Sequence, residues 1–245
     1  MSSKKINPNP DSINPDRVRN PVGVVILYED NHLIAVNKQA GVLVQGDETG
    51  DEPLSEKVKT YIKEKYAKPG EVFLGVVHRL DRPVSGVVVL ARTSKALERM
   101  NALFKNRETK KTYWAIVDRK PAKPYGTLVH WLRKNEQTNK VTPFDRETPS
   151  ALKSELSYKI LKEKNGLFLL EILPVTGRSH QIRVQLSAIG CPLVGDLKYG
   201  SSVGLGKYIC LHARQLQFVH PVKKTEITLQ AEVPSGEFWN TFGRP

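Results

Sequence analysis

Apolar positions recur along the chain with two periods, and the switches between them mark the elements. Val24 to Tyr28 and Leu33 to Val36 are short apolar runs joined by Glu29-Asp30-Asn31-His32, which predicts a strand pair. Asn37-Lys38-Gln39-Ala40-Gly41 then turns the chain into Val42-Leu43-Val44. Leu54, Val58, Tyr61 and Ile62 fall at helical spacing opposite Lys57, Lys59 and Lys63, so an amphipathic helix with a basic outer face is expected, ended by Lys68-Pro69-Gly70. Leu97, Met100, Leu103 and Phe104 predict a second helix, which Thr93 or Ser94 can cap. Thr112 to Val117 reads as a strand with Tyr113 and Trp114 on opposite faces, and a period of two does not say which one meets a cleft. Gly126 to Arg133 is the next strand, and Lys134 to Ser150 reads as a polar loop. Leu152, Leu156, Tyr158 and Ile160 alternate with polar residues, a half-buried strand that Asn165-Gly166 returns into Leu167 to Leu173 as a hairpin. Leu211 to Phe218 and Thr225 to Val233 predict two further strands, and Phe238-Trp239 an apolar closing turn.

Two stretches carry candidate chemistry. Val76 to Ala91 places a polar hexapeptide between apolar runs, Val76-Val77 and Val87 to Leu90, that read as strands buried on both faces. Asp81 sits in that hexapeptide between Arg79 and Arg82, with Pro83 and Gly86 marking a turn. A carboxylate at a tight turn between core strands is held rigidly and partly desolvated, which suits a nucleophile or general base. It equally suits an aspartate that caps the turn with its own side chain. In Pro174 to Gly200, Gly177 permits an abrupt turn and Thr176 or Ser179 can cap a helix whose buried stripe is Ile182, Leu186 and Ile189. Arg178, His180 and Arg183 crowd its first turn, where the helix dipole disfavours cations. Such an arrangement calls for a carboxylate or phosphate partner. Pairing His180 with Asp81 as metal ligands fails on spacing, since no second pair of ligands follows.

Charge changes the picture more than composition does. The 245 residues include 38 Lys and Arg against 25 Asp and Glu, a net +13. That surplus attracts polyanions, of which nucleic acid is the commonest in solution. A membrane is the rival partner, but no stretch reaches the ~18 apolar residues of a spanning helix. Cys191 and Cys210 belong to no paired motif, and a secretory signal is missing, so a cytoplasmic setting is expected. Residues 1–21 alternate Asn and Pro with little to bury and read as a flexible tail. Residues 22–245 show no repeat and no composition break that would mark a second domain, so one catalytic domain is expected; a monomer is expected as well.

Taken together the motifs resemble one family. H-R-L-D-R-P-V-S-G, residues 78–86, is similar to the catalytic motif of the RluA-type pseudouridine synthases, with Pro83-Val84 replacing a pair that often ends in Thr. Asn37 to Gly41 resembles their N-K-P-x-G turn, with Gln39 in place of proline. Lys111-Thr112-Tyr113-Trp114-Ala115 matches K-x-Y-x-A, residues 176–183 read T-G-R-S-H-Q-I-R, and Leu211-His212-Ala213 opens the last block. The blocks span about residues 24 to 242 in the family's order.

The resemblance implies an α/β (α+β) fold with a mixed, mostly antiparallel central sheet flanked by helices. It implies isomerisation of uridine to pseudouridine in rRNA or tRNA, with neither metal nor organic cofactor. Asp81 becomes the essential catalyst, Arg183 its paired cation and Tyr113 the ring that stacks on uracil. Arg79 would fill the gap left in the RNA when the nucleotide flips out. Lys38, Arg178 and His180 join it as substrate contacts. Elementary chemistry agrees, because an aspartate in a dry pocket needs a fixed guanidinium to stay ionised. Two other readings compete. One is a catalytically silent RNA-binding or ribosome-assembly protein on the same scaffold. The other is a glycosidase-like hydrolase with Asp196 as the second acid.

Overall fold

The strands expected from alternation all pair into one sheet, which the computed structural model describes over residues 22–243. The tail expected at residues 1–21 lies outside the described residues. Strands β1 (Val25–Glu29) and β2 (Leu33–Lys38) form the first hairpin, and α1 (Leu54–Lys65) follows. Next come β3 (Gly75–Val76), β4 (Ser85–Ala91), α2 (Ser94–Lys105) and β5 (Lys110–Val117). A long antiparallel run completes the middle of the chain with β6 (Tyr125–Asn135), β7 (Lys140–Phe144), β8 (Leu152–Lys164) and β9 (Leu167–Pro174). Helix α3 (Gln181–Ala188), β10 (Leu211–Val219), β11 (Glu226–Gln230) and the single turn α4 (Glu237–Asn240) close it. The main order is β1-β2-β4-β10-β5-β9-β8-β6-β7, with β11 beside β10 and β3 beside β4.

Every pairing is antiparallel except that of β4 with β10, where Ser85 faces His212 and Gly86 faces Ala213. Gly86 adopts φ +119, and a Cβ there would overlap the backbone of Ala213. Glycine is thus required where the two backbones draw together.

Burial on both faces explains why β2 and β4 read as unbroken apolar runs. Ile34, Val36, Val88 and Leu90 point to the face covered by Leu54, Val58 and Ile62 of α1 and by Ile182 and Leu186 of α3. Leu33, Ala35, Val87 and Val89 point to the opposite face, under Ala96 and Met100 of α2. Thr93 caps α2 as expected, its hydroxyl accepting the N–H of Ala96 at 3.2 Å.

Three expectations need correction. The Val76-Val77 run makes only the two-residue β3, half-buried at Val76, because His78 leaves the ladder and gives its ring Nε2 to Val89 N–H at 3.0 Å. The polar stretch after Arg133 is a hairpin, since Val141 buries against Leu132, Val184 and Tyr199 and pins β7 to β6. Neither Thr176 nor Ser179 caps α3. Its N-cap is His180, in the left-handed region at φ 52, and makes no side-chain cap bond.

Candidate active site

Asp81 hangs from a turn that is tied on several sides. Val84 N–H donates to the Asp81 carbonyl at 3.0 Å and closes residues 81–84 into a tight turn. Gly41 N–H reaches the Arg82 carbonyl at 2.8 Å, and Ile209 N–H reaches the Pro83 carbonyl at 3.2 Å. Below the turn, Lys38 donates from Nζ to the carbonyls of Val42 (2.7 Å), Gln39 (3.1 Å) and Arg82 (3.1 Å). Lys38 was expected at the surface as a substrate contact. Instead it is fully buried, its three donors spent on three carbonyls, so it shapes the loop and cannot reach a phosphate. Burial pushes its pKa down to about 7, against the raising influence of Asp81.

The carboxylate meets its cation at the start of α3. Arg183 NH1 lies 3.1 Å from Asp81 Oδ2, while Nε and NH2 grip Asp196 at 2.7 and 2.9 Å. One planar guanidinium therefore bridges two acids, a geometry that a lysine could not reproduce. Although burial opposes the charge of Arg183, Asp196 and then Asp81 more than restore it and raise its pKa. Asp196 is 1 % exposed and both its oxygens are bound to Arg183. It cannot serve as the second acid of a hydrolase, so that reading falls.

Period two left Tyr113 and Trp114 undecided, and packing decides between them. Tyr113 faces a cleft that also exposes Asp81, and Trp114 turns away beneath the guanidinium of Arg214, 4.8 Å from its ring. The cleft is open to solvent and is lined by Arg79, Asp81, Lys111, Tyr113, Arg178 and Arg183. Burial and the Asp81 charge push the Tyr113 phenol up, so it stays protonated. Arg79 and Arg178 are exposed at the rim, and Lys111 lines the wall beside them. Among the described residues none of these three side chains pairs with a carboxylate, which leaves a rim fitted for phosphates. His180 Nε2 stands 3.8 Å from Asp81 Oδ2, too far for a hydrogen bond. Burial lowers the pKa of His180, opposed by Asp81 and assisted by Arg183. The structure thus gathers Asp81, Tyr113, Arg183, Arg79, Arg178 and His180 around one cleft and leaves out Lys38.

A family model described as RNA pseudouridylate synthase matches residues 32–188. The chain is 35 % identical over 213 residues to ribosomal large subunit pseudouridine synthase C of Rickettsia felis, covering 85 % of this chain and 67 % of that protein. This chain belongs to the RNA pseudouridylate synthase family. The protein of the same name from Vibrio cholerae is 31 % identical over 224 residues, covering 84 % of this chain and 64 % of that one. Among solved structures, human RNA pseudouridylate synthase domain containing 4 superposes with a TM-score of 0.72 at 27 % identity, over 85 % of this chain and 88 % of that one. The protein is accordingly an RNA-modifying isomerase that converts uridine to pseudouridine.

Lys111 lines the synthase's cleft but figured in the sequence only as the first residue of the K-x-Y-x-A match, with no site role attached. Lys111 shares a strand face with Tyr113, two positions on, and that spacing was the available signal. Tyr199 lies behind the cleft against His180, in a short helical turn, Leu197–Tyr199; with Gly200 it belongs to a block that matches the family, but no site role was read from it.

Proposed function

We propose that the synthase isomerises a uridine of large-subunit ribosomal RNA, with Asp81 as the catalyst and Arg183 and Tyr113 as its partners in the reaction. The observation that carries this reading is the Arg183 guanidinium, shared between Asp81 in the cleft and Asp196 beneath it. It holds the acid aimed by a charge-assisted hydrogen bond while Tyr113 offers a ring face to an extruded base. Arg79 and Arg178 would hold the flanking phosphates, and His180 the nucleotide itself. The names of the relatives favour ribosomal over transfer RNA as the target. Assembly of the whole cleft from one chain supports a monomer, and two free, buried cysteines support a cytoplasmic setting.

The test is a pseudouridine map of total RNA from cells with the gene, without it, and with Asp81→Asn supplied in trans. A large-subunit position should lose its pseudouridine on deletion, regain it with the wild-type gene and stay unmodified with the variant. A missing signal in transfer RNA alone would redirect the substrate. Restoration by the variant would remove Asp81 from the chemistry.

A further inference from the structure

His180 is held in an unusual way for a residue that only borders a cleft. Its backbone lies in the left-handed region at φ 52 and ψ 17, a conformation that costs a non-glycine residue free energy. The neighbouring turn enforces it. Gln181 Oε1 accepts both Thr176 Oγ1–H at 2.8 Å and Arg178 N–H at 3.0 Å, and its amide donates to the Glu155 carbonyl at 3.0 Å. The strained backbone delivers the imidazole edge-on between Tyr199 and Asp81.

The hydrogen bonds then determine which ring nitrogen carries the proton. Tyr199 Oη accepts the backbone N–H of Val141 at 3.0 Å and lies 2.7 Å from His180 Nδ1. Tyr199 is buried, so its own hydroxyl hydrogen needs an acceptor, and among the described residues Nδ1 is the one in reach. Nδ1 is therefore unprotonated, and in the neutral ring the hydrogen sits on Nε2. That nitrogen faces the cleft, 3.8 Å from Asp81 Oδ2, with its N–H not spent on the carboxylate. Burial of the ring beside Arg183 and Lys198 favours the neutral form, against Asp81 and Asp196.

We propose that Tyr199 is a positioning residue that locks His180 as its Nε2–H tautomer, so that His180 donates a hydrogen bond to a uracil carbonyl oxygen in the cleft. This rests on the cleft being the nucleotide site. When the bond between ribose and N1 opens, its electron pair stays with the uracil and spreads over its carbonyl oxygens. A fixed neutral donor at that point stabilises the charge as it forms. His180 transfers no proton in this scheme. Tyr199 itself is held by Ser187 Oγ–H donating to its carbonyl at 2.6 Å, and by Arg183 lying 5.0 Å from its ring centre. The β6–β7 hairpin, through Val141, thereby sets the proton position of a cleft residue.

The first measurement needs no variant. Nitrogen-15 spectra of the full-length wild-type enzyme should show His180 with a protonated Nε2 and a bare Nδ1, and the reverse tautomer would overturn the proposal. Tyr199→Phe keeps the buried ring and removes only the hydroxyl. It should lose the single tautomer and lower kcat about tenfold, the loss of one hydrogen bond at the transition state, with KM for RNA unchanged. His180→Gln, whose amide N–H reaches the same place, should retain more kcat than His180→Ala. A purely structural tie would lower the melting temperature and leave kcat alone, and that result would also overturn the proposal. Asp81→Asn is assayed alongside. Activity in that variant would defeat the reading of the site, whereas the tautomer result stands or falls by itself.

Discussion

Two aspartates in this synthase keep almost the same company and come to opposite ends. Asp30, between β1 and β2, has a tyrosine, a histidine and a cation around it, as Asp81 does. Its Oδ1 accepts the N–H groups of His32 and Leu33, both at 2.8 Å. Its Oδ2 accepts the Tyr28 hydroxyl at 2.8 Å and lies 3.0 Å from Lys223 Nζ and 3.0 Å from His220 Nε2, the last an ion-pair distance without hydrogen-bond alignment. Three hydrogen bonds and two close cationic or imidazole nitrogens surround the carboxylate, and these partners outweigh burial and drive the Asp30 pKa far below the carboxylate range. Asp81 has one protein hydrogen bond on Oδ2, from Arg183, and none on Oδ1 among the described residues. It is also 29 % exposed at the side chain, against 9 % for Asp30. The residue types around an acid do not distinguish a structural carboxylate from a reactive one. Unused lone pairs and an adjoining space do.

That contrast makes its sharpest prediction in paired amide substitutions. Asp81→Asn should cut single-turnover pseudouridine formation by at least about 10³-fold while the melting temperature changes little. Asp30→Asn should do the opposite, costing about 2 kcal/mol as the buried donors around it lose a charged acceptor and roughly 6 °C in melting temperature, with activity per folded molecule retained. If both variants lose stability alike, the distinction fails. Arg183→Lys keeps the charge but cannot span both acids, so kcat should fall about 10²-fold. A wild-type rate would show that charge alone suffices. Tyr113→Leu removes the ring face and should weaken RNA binding roughly tenfold, within the range for one stacked base. Tyr113→Phe should restore binding, and a phenylalanine variant that binds as poorly as leucine would remove stacking from the account.

The smallest effect is on pH dependence. His212 and His78 are held neutral by burial with pKa values pushed down to about 4 from an ordinary 6.5. The unfolded chain therefore takes up protons that the fold refuses between those values. Stability should be full above about pH 6.5 and decline as pH falls toward 4. Asp30 keeps its charge across that window, so replacing it should leave the shape of the decline unchanged. Thermal melts from pH 7 to about 4 would check the sign. A flat profile would mean that neither histidine is sealed in.

Much of this was legible in the chain because it rests on local rules. The Asn165-Gly166 hairpin, with both residues at positive φ, and the Thr93 cap follow from turn and cap chemistry that a few residues contain. The acid at residue 81 and the cation at residue 183 were likewise visible, since a crowded basic helix start demanded a partner. What escaped was set by tertiary contact. Lys38 looked like a turn lysine because nothing local reveals three carbonyls closing over its head. Asp196 looked like a spare acid because its grip on Arg183 depends on how α3 meets the turn that follows it. Strand β7 contains Pro143 and polar neighbours, and only burial of Val141 makes it a strand.

The parallel contact at Gly86 has one more consequence. It is the seam between β1-β2-β4 and the remaining strands, so Asp81 arrives from one bank while Tyr113 and Arg183 arrive from the other. The strand that joins them, Leu211–Val219, lies far along the chain from Asp81. Without it the sheet has no strand between β4 and β5, and the bank that bears the acid is not tied to the bank that bears the ring.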